Sequence, residues 1–225
     1  MKTSTNNHTE NFKEKTLRIG LPSEPSQWAG ATAKFSEGSL HILGHQVMND
    51  WASPYMKMLA EITTRNGGRV LEIGFGLGIS AKYIQKHDIE EHLIIEANHD
   101  VFVKLREFAQ QSPCKTIPLE GTWQDIVSTL PEASFDGILF DPYPITEDDL
   151  TDYNYVFFRH AFRLLRTNGI FTYFSSEVDS FSQYHRQRLS EAGFRKIESM
   201  LCAVSPSEDS SWFHPTILAP VVTKS

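Results

Sequence analysis

The sequence predicts an α/β fold: one mostly parallel, seven-stranded sheet with an antiparallel edge strand, preceded by a helical lid segment. Three observations predict it. From Arg69 onward, short apolar runs alternate with amphipathic stretches, the pattern of parallel strands joined by right-handed crossover helices. The first apolar run passes into its helix through a glycine-rich loop, as a doubly wound, Rossmann-like sheet requires. The last two runs follow one another with only a polar loop between them, so they must pair antiparallel.

Taken in order, residues 1–16, MKTSTNNHTENFKEKT, are polar and lack the apolar core of a secretory signal. They are expected to form a disordered tail on a cytoplasmic protein. Residues 17–66 are expected to cover the mouth of the sheet, with a mainly helical stretch from Ser39 to Asn66 that contains HQVMNDW and SPYMKMLAEI. Residues 67–225 make the core of a single domain. Its elements are the strand RVLEIGF, a helix from Ala81 to Lys86, the strand HLIIEAN, the helix VFVKLREFA, and the strands KTIPL and GILFD. A helix then opens at Thr146, with Asp149 three residues on as its capping partner, and stops at Asn168-Gly169. IFTYF is a fifth strand, and the helix SQYHRQRLSEAG ends at Gly193. RKIESMLCAV and PTILAPVVTK form the late pair, in which Pro220 favours an edge position.

Composition excludes several function classes. No stretch approaches the 18 apolar residues of a membrane span, and a net charge of -7 argues against broad nucleic-acid binding. Cys114 and Cys202 are far apart and read as free core thiols. His41 and His45 stand four residues apart without a third ligand at a recognisable spacing, so no metal is expected. Oligomeric state is not legible.

The chemistry begins at Glu72-Ile73-Gly74-Phe75-Gly76-Leu77-Gly78, where the first core strand turns into its helix. Glycines there let the backbone turn tightly and approach a ligand closely. Glu96 ends the second core strand, twenty residues after Gly76, where a carboxylate can accept from both hydroxyls of a ribose. The G-x-G-x-G spacing differs from that of a dinucleotide loop, and Thr122-Trp123 after the third strand can supply a bed for adenine. Together these features point to S-adenosylmethionine (SAM) as cofactor.

GILFDPYP runs a buried strand into Asp141-Pro142-Tyr143-Pro144, which places a carboxylate where open α/β sheets hold their ligands. Methyl transfer from a sulfonium needs no metal; it needs an oriented acceptor lone pair and a home for the departing proton. Asp141 can serve both. The order Asp-Pro-Tyr-Pro resembles the Asp-Pro-Pro-Tyr motif of methyltransferases that act on planar exocyclic nitrogens, with Pro and Tyr transposed. Ser175-Ser176 lacks the His/Asp partners of nucleophilic catalysis. Tyr153, Tyr155, Phe157 and Phe158 read as a helix face packed on the sheet and lid.

From Leu40 to the C-terminus the chain resembles the guanidinoacetate N-methyltransferase family. The matching stretches include LHILGHQVMNDWASPYM, GGRVLEIGFG, IEEHLIIEAN, KTIPLEGTWQD, STLPEASFDGILFDPYP, HAFRLLRTNG, LSEAGF and PVVTK. The resemblance implies a class I SAM-dependent methyltransferase whose N-terminal segment closes over both ligands. Cofactor contacts would fall on Trp28, Met48, Met56, Glu72, Gly74, Phe75, Gly76, Leu77, Gly78, Ile79, Ser80, Glu96, Asn98, Thr122 and Trp123. Asp141 falls on the acid that holds the guanidino group and takes its proton.

The departures lie on the acceptor side, at Ala52, Tyr143, Ser175 and Ser176. The family's Glu-Thr-Pro-Tyr-Met reads Ala52-Ser53-Pro54-Tyr55-Met56 here, so the second carboxylate of the guanidinium clamp is missing. The family's Tyr-Cys-Asn-Leu-Thr-Ser reads Tyr173-Phe174-Ser175-Ser176-Glu177-Val178. A guanidinium must lose its proton as it is methylated, and two acids ease that loss. The expected function is therefore N-methylation of a small molecule other than guanidinoacetate. Methylation at carbon of an aromatic ring such as indole, and a SAM-binding protein without catalysis, stay open as alternatives.

Overall fold

The computed structural model describes residues 20–147, 149, 154–207, 210 and 212–225. The expected tail over residues 1–16 lies outside the described residues, as do Tyr153 and part of the helix placed from Thr146. The chain begins with a short helix α1 (Pro25–Ala29) and strands β1 (Ala33–Ser36), β2 (Ser39–Ile42) and β3 (His45–Asn49), followed by helix α2 (Ser53–Thr63). The core then runs β4 (Arg69–Ile73), α3 (Ile79–Ile84), β5 (Glu91–Glu96), α4 (His99–Gln111), β6 (Lys115–Glu120), α5 (Trp123–Ile126) and β7 (Phe135–Phe140). It ends with α6 (Tyr155–Leu164), β8 (Leu165–Tyr173), α7 (Gln183–Glu191), β9 (Lys196–Ala203) and β10 (Thr216–Thr223).

The seven core strands lie in the order β6-β5-β4-β7-β8-β10-β9, with β10 antiparallel to both of its neighbours. The chain reverses strand order between β4 and β7, and this switch point opens a crevice at the carboxyl ends of the parallel strands. One face of the sheet carries Leu71, Ile73, Phe140, Phe171 and Tyr173 against α6, whose Phe157 and Phe158 are fully buried. The other face carries Val70, Leu139 and Ile217 against α2.

Three expectations are corrected. The stretch from Ser39 to Asn49 is not helical: β1, β2 and β3 form a three-stranded antiparallel sheet, and helix begins with a 3-10 turn at Asp50–Ala52 that leads into α2. Ser39-Leu40-His41-Ile42 alternates with a period of two, burying Leu40 and Ile42. Leu43 and Gly44, both at positive φ, close the hairpin to His45 in the geometry that suits a two-residue turn. The segment expected to act as a lid is thus part sheet.

The helix α6 starts later and ends earlier than the capping signals suggest. Asp149 does reach back to the Thr146 N–H (2.9 Å) and hydroxyl (3.0 Å), but there it closes a turn, and α6 runs from Tyr155 to Leu164. Leu165 already pairs with Phe135, and Asn168, at positive φ, lies inside β8 where the register with β7 shifts. Pro220 sits in β10, an interior strand. It is tolerated because its pairing is with β9, while the β8 ladder reaches only Val222 and Thr223. Between the diverging strands the Tyr55 hydroxyl stands 3.1 Å from the Tyr173 carbonyl and 3.0 Å from that of Leu218.

Candidate active site

The cofactor loop is built by close approach. Gly74, at φ +90°, leaves so little room that a Cβ would come within 2.6 Å of the Asp141 carbonyl oxygen. The loop and the end of β7 are therefore pressed backbone to backbone. Gly76 faces Met48 of β3, whose sulfur lies 3.4 Å from the Leu77 nitrogen. Glu96 ends β5 with one oxygen accepting from the Phe75 N–H (2.9 Å) and the other from the Asn98 N–H (2.8 Å). Burial raises its pKa, and those backbone donors oppose the rise.

These elements border a cleft of about 660 Å³, counting the part open to solvent. Trp28, Met48, Gly74, Gly76, Glu96, Thr122, Trp123, Asp141 and Tyr143 all line it. Trp123 also packs edge-on against Phe140 (5.7 Å) and Phe157 (5.4 Å), so the core holds the ring that the cleft exposes. Trp28, 2% exposed, stacks on Tyr143 with ring centroids 5.3 Å apart and planes 6° from parallel. That stack joins the lid to the end of β7. Trp28→Ala removes a contact of about 0.5–1.5 kcal/mol, so S-adenosylhomocysteine should leave about 3–10-fold faster in stopped-flow dissociation.

Other expected residues lie outside the cleft. Asn98 caps α4 through the Val101 N–H and donates to the Trp28 and Ala31 carbonyls at 2.9 and 2.8 Å. It fastens the lid rather than facing a ligand. Met56 is buried against the sheet; Phe75 turns its ring onto Phe108, and Gly78 stands as the N-cap of α3, ahead of the partly buried Ile79. Ser80 donates its hydroxyl to the fully buried Glu72. Of the acceptor-side residues, Ala52 is buried with Tyr55, Met56 and Trp212; Ser175 donates to the Leu218 carbonyl at 2.6 Å; and Ser176 is exposed at positive φ. Tyr143 alone among them lines the cleft.

Asp141, the expected proton acceptor, lines the same cleft. Phe140 pairs with Ile73 on one side and Tyr173 on the other, so Asp141 is set between Gly74 and Phe174 with its backbone N–H on the Ile73 carbonyl (2.9 Å). Burial first, then the negative charge of Glu72, push its pKa up to about 7. Tyr143 is pushed up by burial to about 12 and stays a neutral phenol. A carboxylate poised near neutrality, in a cleft without lysine or arginine among its described lining residues, is suited to accept a proton. Sequence reasoning did not single out His92 or Gln85, which form a buried chain behind Glu72; a histidine inside the apolar run EHLIIE was the available signal.

The glycine loop, Glu96 and the Trp123 bed fit SAM, which when bound supplies an electrophilic methyl group on a sulfonium; these residues would hold it. A model of guanidinoacetate N-methyltransferase matches residues 22–225. Protein arginine N-methyltransferase 2 of Candida glabrata is 30% identical over 161 residues, 68% of this chain and 38% of that protein. The Kluyveromyces lactis protein of the same name is 35% identical over 136 residues, 57% of this chain and 32% of that one. The chain thus spans about a third of these relatives. Among solved structures, spermidine synthase from Thermotoga maritima superposes with a TM-score of 0.61 at 16% identity, covering 86% of this chain and 72% of that one. TYW2 of M. jannaschii in complex with AdoMet gives 0.55 at 16% identity, covering 86% and 84%. Those likenesses carry the fold; the match over residues 22–225 carries more, and the chain belongs to the guanidinoacetate N-methyltransferase family of SAM-dependent methyltransferases.

Proposed function

We propose that this chain transfers the methyl group of SAM to a nitrogen of a small acceptor other than guanidinoacetate, with Asp141 taking the acceptor's proton. The observation that carries this is the isolation of Asp141. Among the described residues lining the cleft the other acids are Glu96 and Asp149, and both are engaged by backbone N–H groups, Glu96 by Phe75 and Asn98, Asp149 by Ile145 and Thr146. Where a second clamp acid would stand, Ala52 is 8% exposed in an apolar cluster. One acid of pKa about 7 suits an acceptor that arrives neutral better than a guanidinium, whose charge it would have to hold and whose tightly bound proton it would have to take alone.

The names of the relatives favour a second reading, an arginine side chain of a protein. A SAM-consumption screen over neutral amines, nitrogen heterocycles, indoles, guanidinoacetate and arginine peptides tests both. Turnover of a small neutral nitrogen acceptor, lost in Asp141→Asn, is the expected result. Robust turnover of guanidinoacetate overturns the proposal, and turnover confined to arginine peptides replaces it with the second reading. Methylation at an indole carbon, or tight cofactor binding without any turnover, also overturns it.

A further inference from the structure

Behind the cofactor loop a chain of polar side chains crosses three strands, from the fully buried Glu72 to the partly exposed Thr116. Glu72 of β4 and His92 of β5 are both fully buried. Ser80, at the start of α3, donates to one oxygen of Glu72, and His92 Nε2 lies 2.8 Å from the other. That second contact is close but not aligned as a straight hydrogen bond, so charge and dipole carry it. On the far side of the imidazole, Gln85 Nε2 lies 3.1 Å from Nδ1 and 3.0 Å from the Thr116 hydroxyl.

The orientation of this chain is determined. Gln85 Oε1 accepts the Cys114 N–H at 3.0 Å, so the amide nitrogen must face His92 and Thr116. Thr116 spends its own proton on the Cys114 carbonyl at 3.0 Å, so it accepts from Gln85. His92 Nδ1 therefore accepts from Gln85, and the ring proton sits on Nε2, on the side of the ring nearer Glu72. The Glu72 carboxylate thus has the Ser80 hydroxyl on one oxygen and the imidazole beside the other, inside the fold. Its strand neighbours place it. Glu72 pairs with Leu139 and Ile73 with Phe140, so Glu72 and Asp141, two residues apart along adjacent parallel strands, project from the same face of the sheet.

We propose that the Glu72–His92 pair is a positioning element for methyl transfer: it fixes a negative charge behind the cofactor loop and thereby keeps Asp141 able to take up the acceptor's proton. In that step the acceptor nitrogen forms its bond to the methyl carbon as the carbon–sulfur bond breaks. The sulfur keeps the electron pair, and the N–H proton passes to the Asp141 carboxylate. Among the described residues, the other titratable groups around this end of the sheet include Tyr55 from α2, His45 from β3, Tyr143 and Asp149 after β7, and Glu96 from β5. The direction of the Asp141 shift, with Glu72 as its second cause, agrees.

This inference rests on Asp141 as the proton acceptor, but its test needs no turnover and so fails independently of the proposed reaction. The titration of Asp141 is followed by carbon-13 NMR of aspartate-labelled protein in complex with S-adenosylhomocysteine, the signal being assigned with Asp141→Asn. In wild type the midpoint should lie near 7, and nitrogen-15 spectra should show the His92 proton on Nε2. Glu72→Gln should lower the midpoint by about one pH unit, whereas Ser80→Ala, which keeps the charge, should not lower it. A purely structural role for the pair would lower the melting temperature and leave the Asp141 midpoint where it was. That result overturns the proposal, as does an ordinary carboxylate midpoint in wild type or a His92 proton on Nδ1. If Glu72→Gln does not fold, the wild-type midpoint, the tautomer and Ser80→Ala decide the question alone.

Discussion

Asp141→Asn should lower kcat/KM by about 10²–10⁴-fold, the usual worth of a positioned general base, and leave S-adenosylhomocysteine affinity within a few-fold. Asn keeps the shape and can still orient an acceptor, but it cannot take a proton. The same residue sets two opposed pH dependences. Activity needs the carboxylate, so in wild type it should rise through about pH 7. Stability runs the other way, because folded Asp141 holds its proton more tightly than the unfolded chain does. Its contribution is full below the ordinary value of 3.8 and is lost as pH rises through about 7. The Asn variant should therefore be more stable than wild type above pH 8, by about 4 kcal/mol at most, with the difference fading as pH falls towards 4. Melting curves across pH, beside turnover of the acceptor found in the screen, check both arms. A variant that keeps full activity removes Asp141 from the mechanism.

Gly137→Ala should give the largest loss of stability. Gly137 lies in β7 where the sheet meets the last turn of α2, and an added Cβ would come within 1.9 Å of the Thr63 carbonyl oxygen. That neighbour is backbone, so relief requires the helix to move off the strand. We expect a loss of about 3 kcal/mol, a fall of about 6–12 °C in Tm for a chain of this size. Displacing α2 should also weaken cofactor binding, since β3, which carries Met48 to the loop, leads directly into it. Thermal unfolding with and without S-adenosylhomocysteine measures the two effects together. An unchanged Tm would mean that strand and helix are not in this contact.

Much of the fold and of the cofactor side is legible in the sequence. The alternation of strand and helix, the glycine loop, the acid ending β5 and the acid ending β7 are local signals, each set by a few neighbouring residues. The lid misleads because HQVMNDW has a composition that suits either state. Only the alternation of Leu40 and Ile42 and the Leu43-Gly44 turn mark it as sheet. Asn98 is expected in the cleft because it follows Glu96, yet its amide is used up by the Trp28 and Ala31 carbonyls, some seventy positions earlier in the chain.

The sequence by itself determined the class of fold, the cofactor loop and the presence of Asp141, because glycine conformations, hydrophobic periodicity and strand ends are properties of short segments. Tertiary structure alone decided how Asp141 behaves. Its proton affinity depends on burial between β4 and β8 and on a Glu72 charge held by His92 and Ser80 from other elements. Electrostatic energies inside a protein follow distance in space, and no spacing along the chain reports that distance.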